Sequence, residues 1–85
     1  MMEVSVEGRQ IVIYFATGRV FATDALCTHG HARLVEGYLE GSAIECPMHG
    51  GTFDLRTGAP LKPPCTIPLR TYHAHVRAGR VLVQL

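Results

Sequence analysis

Neither a long apolar run nor a run of like charge occurs anywhere in the 85 residues. No stretch approaches the about eighteen apolar residues that span a bilayer. The opening residues lack the charged, apolar and small-residue regions of a secretory signal. The chain is therefore expected to be cytoplasmic and to make no use of a membrane. With a formal net charge of +1 and no basic run interleaved with aromatics, it is not expected to bind nucleic acid. Cysteine is scarce and odd in number, three in all. That fits a disulfide framework poorly and thiolates held for a metal in a reducing compartment better. A long helix is missing too: Gly30, Gly37 and Gly41 interrupt the only candidate, around Ala32-Arg33-Leu34-Val35, and leave room for one helical turn.

What is present argues for a small folded domain. Hydrophobic residues make up 47% of the chain, which argues against disorder. A domain of this size buries only about 60–65% of the surface its unfolded chain exposes, so a metal site has a stabilising role open to it. Met2 to Val6 alternate with the period of a half-buried strand, Ile11-Val12-Ile13-Tyr14-Phe15 is a continuous β-branched and aromatic run, and Arg19-Val20-Phe21-Ala22 follows. Glu7-Gly8 and Thr17-Gly18 between them read as hairpin turns. Tyr72, Ala74 and Val76 alternate with polar residues, and Ala78-Gly79 turns the chain into Val81-Leu82-Val83. The expected fold is all-β: one domain over 1–85 with antiparallel sheets at both ends, and a loop subdomain over about 27–68. That middle, with Pro60, Pro63, Pro64 and Pro68, reads as a stiff loop because proline fixes φ and removes backbone donors.

The loop region carries the chemistry. "LCTHGHA" separates Cys27 from His29 by one residue, and "ECPMHGG" separates Cys46 from His49 by two. Either arm alone is weak evidence, since a buried thiol beside a solvated imidazole is common. Together they form Cys-x-His, sixteen intervening residues, Cys-x-x-His, a four-ligand site with one thiolate and one imidazole on each arm. Pro47 stiffens the second arm, and Gly50-Gly51 let the backbone approach whatever the ligands hold. Such a donor set also suits tetrahedral Zn²⁺, so a structural Cys₂His₂ zinc module stands as the alternative from a different class.

These arms, with "ATDALCTHGHARL", "GYLEGSAIECPMHGGTFDLRTGAP" and the loop containing Pro63-Pro64, resemble the Rieske iron–sulfur family, and in particular the small ferredoxins that serve bacterial aromatic-ring-hydroxylating dioxygenases. The resemblance covers nearly the whole chain. It implies one [2Fe–2S] cluster per chain, with Cys27 and Cys46 on an inner iron and His29 and His49 on an outer one. It implies a one-electron carrier that is not itself an enzyme, fed by a NAD(P)H-dependent flavoprotein reductase and passing electrons to the α subunit of a terminal Rieske non-haem iron oxygenase. A small Rieske subunit of nitrite reductase is the nearer alternative. The catalytic subunit of an oxygenase would need a further domain with a 2-His-1-carboxylate iron site.

Charge counting shows what the ligand set does. Two ferric ions, two sulfides, two thiolates and two neutral imidazoles sum to zero, whereas four thiolates would give −2. A neutral cluster accepts an electron more readily, which underlies Rieske potentials of roughly −150 to +300 mV against about −400 mV for plant-type clusters. Backbone N–H groups around Gly30, His31, Gly50 and Gly51 are expected to donate to the sulfurs. Respiratory Rieske proteins carry two further cysteines that brace the loops and a serine after the second ligand arm; those positions here are Ala32, Met48 and Gly51. The resemblance thus implies the lower part of that potential range, and a hydroxyl introduced by Gly51→Ser is expected to raise it, provided it can reach a sulfide.

Other residues are read more plainly. His31, His73 and His75 are expected at the surface, Phe53 and Tyr72 in the core, and Cys65 packed beside the site rather than ligating. Met48 and Pro64 are expected, from the resemblance, to shield the cluster. Acidic residues gather before Cys46 and only basic ones follow Asp54, an imbalance read as solvated surface. Ferredoxins of this type also begin with a strand that precedes the counterpart of Glu3-Val4-Ser5-Val6. The expectation is therefore that the chain is truncated at its N-terminus, or leaves an open edge along Val81–Leu85 that invites a second copy.

Overall fold

A computed structural model describes residues 1–85. Three strands form a meander: β1 (Met2–Val6), β2 (Arg9–Ala16) and β3 (Arg19–Asp24). The C-terminal hairpin joins β8 (Thr71–Arg77) to β9 (Arg80–Gln84). Together they make a five-stranded antiparallel sheet in the order β1-β2-β3-β8-β9. All three hairpins turn on two residues of positive φ, Glu7-Gly8, Thr17-Gly18 and Ala78-Gly79. This left-handed pair matches the twist of the flanking strands.

The seam between the meander and the C-terminal hairpin is narrow. Only Ala22↔Tyr72 and Thr23↔Thr71 pair across it. Tyr72 reinforces it by donating from its hydroxyl to Asp24 at 2.5 Å, and the Asp24 N–H donates to the Arg70 carbonyl at 3.0 Å.

The middle of the chain corrects the expectation of a stiff loop. It contains a second antiparallel sheet of four three-residue strands, β4 (Tyr38–Glu40), β5 (Ala43–Glu45), β6 (Thr52–Asp54) and β7 (Pro60–Lys62), in sequence order. Strands this short show no periodicity. Pro60 is tolerated because it opens an edge strand, where no ladder donor is required of it. The one helical turn is present as a 3₁₀ turn at Leu34–Glu36.

β2 is the hinge of the core because both of its faces are buried. Val12, Tyr14 and Ala16 point into a cluster with Leu34, Ile44, Phe53, Leu55 and Leu69, which joins the two sheets beneath the Cys-His arms. Ile11 and Ile13 point the other way, into a smaller cluster with Ala22 and Tyr72 that Val4, Val6, Val81 and Val83 partly cover. The sheet therefore curls until its two edge strands, β1 and β9, face each other across an apolar cleft of about 250 Å³.

Candidate metal centre

The two Cys-His arms are built alike. In the first, the Cys27 N–H donates to the Ala32 carbonyl at 2.8 Å; in the second, the Cys46 N–H donates to the Gly51 carbonyl at 2.7 Å. Each bond closes a loop from a cysteine to a carbonyl five residues on. Each loop reverses on two successive residues of positive φ, Gly30-His31 in one and His49-Gly50 in the other. Similar backbone turns thus present a thiol at the base and an imidazole near the crest. The first arm is anchored to the meander by the Leu34 N–H bond to the Ala25 carbonyl, 2.9 Å. The second springs from β5 and returns into β6.

The four sequence-selected side chains come together with their two kinds separated by depth. Cys27 and Cys46 are each 1% exposed and belong to the same buried cluster. His29 and His49 lie at the surface, ring centroids 5.5 Å apart and nearly perpendicular. Burial pushes both thiols above their ordinary value, against the opposing pull of the N–H groups of His29 on Cys27 and Met48 on Cys46. The His29 N–H reaches the Cys27 sulfur at 3.4 Å. This donor precedes the glycine-rich crest that the sequence singled out, and no composition signal marks it.

Cys65 is buried, 4% exposed, with its sulfur 3.9 Å from that of Cys27. It packs beside the ligands, as its place in the proline loop suggested. The Thr28 hydroxyl donates to the Ile67 carbonyl at 2.7 Å and ties the proline loop to the first arm. The fit of serine at position 51 needs correction. A Cβ there would overlap the Cys65 sulfur and lie 3.0 Å from the Cys65 nitrogen, so no side chain enters without displacing Cys65. Met48, 49% exposed, stands beside His49 at the crest. His31, His73 and His75 are exposed, and Phe53 and Tyr72 are buried.

The donor set fits a [2Fe–2S] cluster. Two buried thiols and two surface imidazoles form pairs at different depths, as suits two irons of different ligation.

The sequence pattern that describes the Rieske [2Fe-2S] domain matches residues 1–73. The ferredoxin component of the naphthalene 1,2-dioxygenase system of Pseudomonas putida is 46% identical over all 85 residues, which cover 82% of that protein. Among solved structures, the ferredoxin of carbazole 1,9a-dioxygenase from Nocardioides aromaticivorans superposes with a TM-score of 0.91 at 38% identity, over 96% of this chain and 81% of that one. A chain in a complex of reduced oxygenase and oxidized ferredoxin of carbazole 1,9a-dioxygenase gives 0.90 at 42% identity, over 96% and 77%. The chain belongs to the Rieske [2Fe-2S] domain family. Within it, this is an electron carrier of the ferredoxin type with a Rieske [2Fe–2S] cofactor, not a catalytic oxygenase subunit.

Proposed function

We propose that Cys27 and Cys46 hold the inner iron of the cluster and His29 and His49 the outer one. In this reading residues 1–85 act as a single Rieske domain in the cytoplasm, carrying electrons from a NAD(P)H-dependent flavoprotein reductase to the terminal oxygenase of an aromatic-ring-hydroxylating dioxygenase system. The observation that carries the proposal is the separation by depth: both thiols are buried and both imidazoles lie at the surface. A cluster held there supplies one-electron uptake and release.

The chain's residues do the rest. The buried thiols and the closed backbone loops fix the ligands and exclude water from the inner side. The exposed rings of His29 and His49 give a docked protein the shortest approach. Met48 and Ile67, 49% and 61% exposed, offer apolar surface next to that approach.

Iron and acid-labile sulfide analysis tests the ligand assignment. Two of each per chain are expected in the native protein, falling to none in Cys27→Ser and Cys46→Ser; one zinc without sulfide would overturn it. Mixing the protein with a ferredoxin reductase, NADH and a naphthalene-type terminal oxygenase tests the route. With naphthalene and O₂ supplied, dihydroxylated product should form only when all three proteins are present, and product formation without this chain would reject the carrier role.

A further inference from the structure

The third cysteine has a contact that the ligand scheme does not use. The Cys65 sulfur lies 3.9 Å from that of Cys27, in a pocket that exists only because residue 51 has no side chain. A thiol is a weak hydrogen-bond donor and a weak acceptor. Once Cys27 is committed to iron as a thiolate it has no proton to give, so the direction of the bond is fixed. We infer that the Cys65 thiol donates to the Cys27 sulfur and, through that bond, positions and polarises the ligand so as to raise the reduction potential of the site, with glycine at 51 making room for it.

This rests on the assignment of Cys27 as a cluster ligand. The physical reason is charge: an added electron increases the negative charge on the sulfurs, so a donor to a ligand sulfur stabilises the reduced state more than the oxidised one. Cys27 receives a backbone N–H from His29 at 3.4 Å and lies 3.9 Å from the Cys65 thiol as well. Cys65 therefore favours one arm, and its bond is the one an amino-acid substitution can remove.

Redox titration of the cluster-loaded protein tests this. Cys65→Ala should lower the ratio of reduced to oxidised protein at a fixed ambient potential by about threefold, which at about 59 mV per decade for one electron is a fall of ~28 mV. Cys65→Ser keeps a donor and should return most of that shift. An alanine variant at the native midpoint, or a serine variant displaced as far as the alanine one, would overturn the inference.

A measurement on the native protein avoids any loss of folding. With Cys27 and Cys46 on iron, Cys65 is the only one of the three cysteines left with an S–H bond. Its infrared stretch should lie below the free-thiol position and move when the cluster is reduced. A band at the free-thiol position in both redox states rejects the bond. Three S–H groups in iron-loaded protein would instead overturn the ligand assignment, and the inference with it.

Discussion

At position 51 an added methyl group would fall on the Cys65 sulfur, so the two residues are a matched pair about one sulfur atom in size. Overpacking of this kind costs about 1–3 kcal/mol. Gly51→Ala should destabilise the protein by that amount, and the same change in a Cys65→Ala background should cost far less; chemical denaturation of the four members of the cycle checks it. Tyr14 is matched to its surroundings in another way. It is fully buried, its hydroxyl is 2.9 Å from that of Thr23, and burial raises its pKa from 10.0 to about 12. A phenol held neutral in this way contributes stability that is complete below its unfolded pKa and is lost as pH rises through the folded one. Stability should therefore decline between pH 10.0 and about 12. In Tyr14→Phe that decline should be smaller, after a loss of about 0.5–1.5 kcal/mol at neutral pH for the missing hydrogen bond.

At the scale of elements, the β1-β2 and β2-β3 hairpins show how a turn's geometry outweighs its residue types. Thr17 is β-branched yet sits at φ 54°, a conformation such residues avoid. Its hydroxyl donates to the Ala16 carbonyl at 2.6 Å. Thr17→Asn would install the Asn-Gly pair this turn favours and should stabilise the fold by about 0.5–1 kcal/mol, a sum in which relief of the strained φ outweighs the lost hydrogen bond. A raised melting temperature is the readout. The five long strands were legible in the sequence because alternation and glycine turns act over five or more residues. The four short ones were not, since β4 to β7 owe their pairing to register across the sheet. The site divides in the same way. Spacing marked the four candidate ligands, because ligands must be particular residue types. The packing of Cys65 against Gly51 and the donor at His29 follow from loop geometry, which spacing does not encode.

Taken whole, the molecule has two cores of unequal size. The larger, of 13 buried residues, ties both sheets to the Cys-His arms; the smaller, of 4, lies under the C-terminal hairpin. Only two residue pairs are in ladder register between that hairpin and the meander, and β9 has a partner on one side alone. Breaking that seam exposes little of the larger core, so opening it costs less than global unfolding. In native-state hydrogen exchange the amides of β8 and β9 should form a cooperative unit that opens before β2 and β3. Uniform protection across all five strands would show the seam to be stronger than its pairing. Because the unit lies apart from the larger core, proteases that cut transiently opened hairpins should trim the C-terminus while the cluster's visible colour persists.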